Sequence, residues 1–225
     1  MTVINDCCGQ RYIGSGKIGD YTIHGTPGNA LGAYFNGGTI EVFGNAQDAV
    51  GDTMNDGKIV VHGSAGDALG YAMRGGAIFI KGDAGYRTGI HMKEYESKKP
   101  VIVIGGNAGS FLGEYLAGGI IVVLGLGNGN GREEVASAAD EIPVGNFIGT
   151  GMHGGKIFIR TNGELSNLPA QVAAEIATAE DMEEIRLYIA EFAERFGTGA
   201  ELMNDRYYIL KPNAKNPYKQ LYTEN

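Results

Sequence analysis

A glycine recurs every 19 residues in this chain, at Gly32, Gly51, Gly70 and Gly89, and again at Gly113 and Gly149 after longer steps of 24 and 36 residues. A second glycine stands six positions later, at Gly38, Gly57, Gly76, Gly119 and Gly155. Each of these introduces a short β-branched run: TIEVF (39–43), KIVVH (58–62), AIFIK (77–81), IIVVL (120–124) and KIFIR (156–160). Self-similarity at a fixed period of this size marks a solenoid, whose units bury their apolar faces only against their neighbours. No window within a unit is long enough for an amphipathic helix, so every segment is strand or corner. Corners need positive φ or close backbone approach, and glycine supplies both at least cost. A 19-residue coil has a contour of about 60 Å at ~3.3 Å per residue, enough for a few short sides around a narrow core. Ile40/Val42, Ile59/Val61, Ile78/Ile80, Ile121/Val123 and Ile157/Ile159 then stack as inward ladders. Solenoids built of hexapeptides have coils that are multiples of six, which 19 is not. The expected fold is an all-β right-handed parallel β-helix of six or seven coils with a short C-terminal α-helical appendage.

Composition narrows the classes. The chain has 225 residues, 38 of them Gly but only 6 Pro, so a collagen-like G-X-Y repeat is excluded. The two cysteines, Cys7 and Cys8, are adjacent and cannot form an ordinary staple, which points to a reducing compartment. No signal-peptide pattern opens the chain and no apolar run approaches a membrane span, so a cytoplasmic location is expected. From residue 162 onward there are 11 acidic and 6 basic side chains, a net of −5 out of the chain's −8. No basic stripe suited to nucleic acid is present.

Three regions follow: a lead-in over 1–20, whose Arg11-Tyr12-Ile13 can begin a strand; the β-helix over 21–162; and C-terminal helices with an extended tail over 163–225. The longer glycine steps place lateral insertions at HMKEYESKKP (91–100) and around LGNGNGREEVASAADEIP (126–143). Past Arg160 the reading changes to helix. Pro169 precedes AQVAAEIA, and Thr178-Ala-Glu-Asp181 resembles a capping box before the stripe Met182, Ile185, Ile189, Phe192 and Phe196, with Gly197 as the stop. A helical hairpin of this kind suits a lid over the open solenoid end or a docking face for a partner.

Catalytic chemistry is sparse. Gly14-Ser-Gly16-Lys-Ile-Gly19 matches G-x-G-x-x-G, but no helix follows as a dinucleotide site requires. The loop GLGNGNG (125–131) reads as a lateral loop before it reads as a phosphate cradle. His24 and His62 share a repeat position with Phe43, Lys81 and Leu124, a tolerant corner and not a metal column; His91 and His153 lack zinc-site spacing. Asp48, Asp67 and Asp83 read as scattered over non-equivalent repeat positions, unlike the clustered acids of a polysaccharide-cleaving β-helix. The chain reads as a scaffold, with no catalytic, cofactor-binding or metal residues assigned.

The units GNAQDAVGDTMNDGKIVV, GSAGDALGYAMRGGAIFI and GEYLAGGIIVVLG…GNFIGTGMHGGKIFI resemble the GXGXG domain. That domain is the C-terminal β-helix of the glutamate synthase large subunit, and it also occurs as a separate subunit of formylmethanofuran dehydrogenase. The lead-in NDCCGQRYIGSGKI, the GDAGYRTGIHM…VIVIGGNAGSFLGEYLAGGIIVVLG stretch and the acidic helix followed by Thr198-Gly-Ala200 favour the glutamate synthase type. In that comparison Arg87 takes the place of a turn arginine, and Glu114-Tyr115 match a Glu-Tyr pair. The loop over 126–144 is longer than the family's, and Cys7-Cys8 replaces other lead-in residues. The resemblance implies a non-catalytic structural subunit of a glutamate synthase complex, an oxidoreductase making glutamate from glutamine and 2-oxoglutarate. FMN and an iron–sulfur cluster are then expected in partner subunits, with none in this chain. The expected partners are the FMN-binding and glutamine amidotransferase subunits, with a homo-oligomer also possible. Arg87, His91, Glu114, Tyr115 and Arg132 are the candidate interface residues, and a chain starting at its own Met1 suggests a split enzyme. The alternatives are the formylmethanofuran-type scaffold and a stand-alone polysaccharide-binding β-helix.

Overall fold

The computed structural model describes residues 1–127, 140–198 and 200–213. Eight strands pair in parallel in chain order: β1 (Thr2–Asn5), β2 (Tyr21–His24), β3 (Asn36–Phe43), β4 (Asp56–Val61), β5 (Ala77–Ile80), β6 (Val101–Ile104), β7 (Ala117–Val123) and β8 (Gly154–Arg160). Their registers advance by one repeat at each step, as in Ile40↔Ile59, Ile59↔Ile78 and Ile102↔Ile121. The two insertions lengthen the step without shifting the ladder, since Ile78 still meets Ile102 and Ile121 meets Ile157. The result is a β-solenoid of about six turns.

Its core is the expected column of branched residues. Ile40, Ile59, Ile78, Ile102, Ile121 and Ile157 are fully buried, as are Val42, Val61, Ile80, Ile104, Val123 and Ile159. The lead-in already carries β1, paired in parallel with β2 from Thr2↔Tyr21 to Asn5↔His24. Arg11-Tyr12-Ile13 is not a strand; Tyr12 has a φ of 61° and turns a corner.

The repeat glycines occupy the left-handed region, with φ between 65° and 72° at Gly32, Gly51, Gly70, Gly89, Gly113 and Gly149. Each of the first five also faces the end of an isoleucine from the following coils. A Cβ on Gly32 would stand 2.6 Å from Ile59 Cδ1, and one on Gly113 2.6 Å from Ile157 Cδ1. Conformation and packing therefore both demand glycine here.

The C-terminal part departs from the helical-hairpin expectation. AQVAAEIA forms β9 (Val172–Ile176), and residues of the expected tail form β10 (Tyr207–Pro212). β10 lies antiparallel between β8 and β9, so it closes the sheet edge that β8 would otherwise leave open. A helix over AQVAAEIA would have only about two turns and little stability of its own, whereas the free β8 edge offers a ladder. Leu210 and Val172 join the core at this end. The rest of the tail lies outside the described residues.

Among the described residues one α-helix forms, α1 (Ala179–Phe196), and it covers a side of the solenoid, not its end. The outward residues Val60, Phe79, Val103, Val122 and Phe158 are buried beneath Ile185, Ile189 and Phe192, with Leu202 of a short 3-10 turn (Ala200–Asn204) alongside. Ion pairs pin the helix to the strands. Lys58 Nζ donates to Glu191 at 2.7 Å, and Lys156 pairs with Glu184. At the N-terminus the capping box is complete, with the Asp181 N–H donating to Thr178 Oγ1 at 3.2 Å and Asp181 Oδ2 accepting from the Thr178 N–H at 3.0 Å.

Two outcomes follow. Gly32→Ala adds left-handed strain, about 1–2 kcal/mol, to a clash of comparable cost. It should lower stability by about 2–4 kcal/mol in urea unfolding, while Gly16→Ala, facing open space at a φ of 66°, loses only the strain. The second concerns pH. The Thr178 N–H, helped by its hydroxyl and by Lys211, holds the Asp181 carboxyl down at about 2. A depressed carboxylate stabilises the fold above its unfolded pKa of about 3.9 and ceases to as pH falls toward 2. Asp181→Asn should therefore lower the urea midpoint at neutral pH, and the gap to the parent should close as pH approaches about 2.

Candidate interaction surface

At one corner of each coil the backbone alternates. Residues two before and two after the repeat glycine also have positive φ: Ala49 and Thr53 around Gly51, Arg87 and His91 around Gly89, Phe111 and Tyr115 around Gly113. This alternation points successive N–H groups in opposite directions along the rod. The Ala49 N–H donates forward to the Asp67 carbonyl at 2.8 Å, Gly51 backward to Leu31 at 2.8 Å, and Thr53 forward to Tyr71 at 2.7 Å. Side chains here project outward from a conformation that costs non-glycine residues about 1–2 kcal/mol each.

The occupants change along the rod. Two residues before the glycine stand Ala30, Ala49 and Ala68, then Arg87, Phe111 and Phe147. In the later coils large side chains gather. Phe111 and Phe147 stack with centroids 5.0 Å apart and planes at 22°, and His91 stacks on Tyr115 at 5.0 Å and 10°. Tyr71 meets His91 edge-on at 6.0 Å. The Arg87 guanidinium lies 5.2 Å from the Phe111 ring centre, and its Nε donates to Glu114 Oε2 at 3.0 Å.

Arg87, His91, Glu114 and Tyr115, singled out from the sequence, thus lie in one cluster. Arg132 lies outside the described residues. Tyr71, Tyr86, Phe111 and Phe147 were missed, although aligning repeat columns exposes the change from Ala to Phe. Tyr71, Tyr86, Tyr115 and Phe147 are between 39% and 56% exposed. At roughly 200 Å² per ring they present on the order of 400 Å² of aromatic surface, the size of patches that are often functional on monomers.

The other sequence candidates resolve differently. His24, Phe43 and His62 stack at 5.2 and 4.5 Å, and Phe196 of α1 packs edge-on against His62, so this column is a packing ladder. Asp48 and Asp67 are equivalent after all, 19 residues apart; Asp48 Oδ1 accepts from the Asp67 N–H at 3.0 Å and Asp67 Oδ1 from the Tyr86 N–H at 2.8 Å. Asp83 belongs to a second such column with Asn45 and Ser64, and it accepts from the Asn107 N–H at 2.7 Å. Gly14, Gly16 and Gly19 lie in corner backbone of positive φ and not between a strand and a helix. Of GLGNGNG only residues 125–127 are described. Among the described residues, no group of three His, Cys, Asp or Glu could hold a metal ion, and no helix is long and apolar enough to cross a membrane.

A groove also runs between α1 and the second glycine column. Two clefts of 420 and 430 Å³ share Lys99 and Tyr188. Lys58, Lys156 and Arg195 line them too, each already paired with a helix carboxylate. The insertion over 91–100 forms one wall and is tied back across the earlier coils by Lys98, whose Nζ donates to Asp56 Oδ2 at 2.8 Å.

Known proteins supply a family match and a relative. The profile of the GXGXG motif family aligns with residues 1–211. The uncharacterized protein MJ1350 of Methanocaldococcus jannaschii is 48% identical over 233 aligned positions, covering 98% of this chain and 85% of that protein.

The two thiols differ sharply in environment. Cys7 is 2% exposed, and burial raises its thiol pKa, while Cys8 is open to solvent. The thiolate is the reacting form. A chromogenic disulfide reagent should therefore titrate one thiol in the native protein, abolished in Cys8→Ser, and the second only after denaturation.

Proposed function

Because the chain belongs to the GXGXG motif family, whose domain is found in the glutamate synthase large subunit, we propose that it is the non-catalytic structural subunit of a glutamate-synthase-type complex. In this reading it holds an amidotransferase, which releases ammonia from glutamine, in register with an FMN and iron–sulfur synthase that consumes it. The observation that carries the reading is the family match across 211 of 225 residues, which spans the solenoid and reaches β10.

The architecture suits the task. Partners that pass ammonia between them must keep their relative positions, and a rod with backbone bonds between successive coils resists bending. The side strapped by α1 is stiffened further, while the aromatic corner remains available to partners. No chemistry is asked of the chain itself.

The test is a tagged chain recovered from the native cell extract. A yellow eluate with FMN absorbance should form glutamate from glutamine and 2-oxoglutarate, and reconstitution without this chain should leave the mixture inactive. A colourless chain eluting alone defeats the proposal. A molybdenum- or tungsten-bearing partner would transfer the scaffold to the formylmethanofuran type of enzyme.

A further inference from the structure

Phe111 and Phe147 hold left-handed backbone at a position where the earlier coils carry Ala30, Ala49 and Ala68, and His91 and Tyr115 hold it at one shared with Tyr34, Thr53, Ala72 and Gly151. A β-branched or bulky residue in this region is a genuine outlier, and such strain collects where function requires it. Burial within the monomer does not offset it at Phe147, which is 55% exposed. Large side chains thus sit at strained positions without the return that a core residue would give.

We infer that the aromatic corner centred on Phe111 and Phe147 is the docking surface for a partner protein that brings an apolar patch to the rings and Lys or Arg side chains to Asp48, Asp52 and Asp67. The inference rests on the reading of the chain as a scaffold within a complex. The stacked rings have few rotatable bonds and are already arranged, so binding them costs little conformational entropy. Aromatic and arginine side chains are the residues most enriched at such centres.

Charge identifies the partner's chemistry. Glu114 neutralises Arg87 within the patch. Asp48, Asp52 and Asp67, on the same corner in the coils of Gly51 and Gly70 at the end of the patch where Tyr71 stands, form no ion pair within the described residues. The flank is therefore acidic, and a basic flank on the partner complements it. A sugar polymer fits less well: it stacks on free ring faces, and one face of each ring in the Phe111–Phe147 and His91–Tyr115 pairs is taken by its partner.

The experiment uses the full chain with the photo-crosslinker p-benzoylphenylalanine in place of Tyr86, irradiated in extract of its own source, with the adduct mapped by mass spectrometry. In parallel, the Phe111→Gly/Phe147→Gly double variant is compared with Leu187→Ala, a control on the 77% exposed helix position. The expected result is an adduct to a different protein at an apolar segment beside Lys or Arg. The double variant should match or exceed the parent's melting temperature yet retain that protein at least about tenfold less well, a loss of about 1.4 kcal/mol. Leu187→Ala should retain it fully. Absence of an adduct, an adduct to a second copy of this chain, or full retention by the double variant overturns the inference. A specific adduct to a protein unrelated to glutamate synthesis leaves the docking surface standing and removes the glutamate synthase reading instead.

Discussion

Successive coils of this solenoid lie one strand spacing apart everywhere, including at their corners, and there side chains have least room. The repeat glycine answers with a residue that has no Cβ to meet the isoleucine stacked against it. The residues two positions to either side adopt the same left-handed backbone. Reversing the peptide direction at alternate positions lets one corner bond to the coil before it and the coil after it. Without that arrangement the corner would carry unpaired backbone groups beside an apolar core, at a cost comparable to a lost hydrogen bond for each. The straight isoleucine ladders follow from the coils being held in constant register.

A solenoid strand has two faces, and only one belongs to the interior. Val60, Phe79, Val103, Val122 and Phe158 point outward and would leave a water-exposed apolar sheet without α1. The helix completes a second, smaller core outside the coil. Its Ile185, Ile189 and Phe192 form the apolar line, and Glu184 and Glu191 place ion pairs along its flank. The molecule is thus layered on one side and bare on the aromatic corner.

The solenoid was legible because its period is a direct image of its geometry. Counting glycines gave steps of 19, 24 and 36 residues, the same sizes as the register steps that the strands show. The capping box and apolar line of α1 were equally plain, since both are local patterns. What escaped were choices settled by distant partners. Whether AQVAAEIA became helix or strand depended on the free edge of β8, and β10 on the gap between β8 and β9. The equivalence of Asp48 and Asp67 was present in the numbering but hidden by scanning for catalytic acids in place of repeat columns. Arg87, Glu114 and Tyr115 were found through resemblance. Their neighbours Phe111 and Phe147 were visible only by comparing a column along the rod.

Repeat arrays are ordinarily close to one-dimensional, each unit knowing only its neighbours, so that an end can melt while the middle persists. The position of α1 alters that. At ~1.5 Å per residue its 18 residues extend about 27 Å, and its carboxylates reach from Lys58 on β4 to Lys156 on β8. Coils that never touch one another thereby share a single element, and unravelling any of them strips the helix from the rest. The strap converts the pairwise contacts of the coils from β4 to β8 into one cooperative unit, so that span of the rod should melt together.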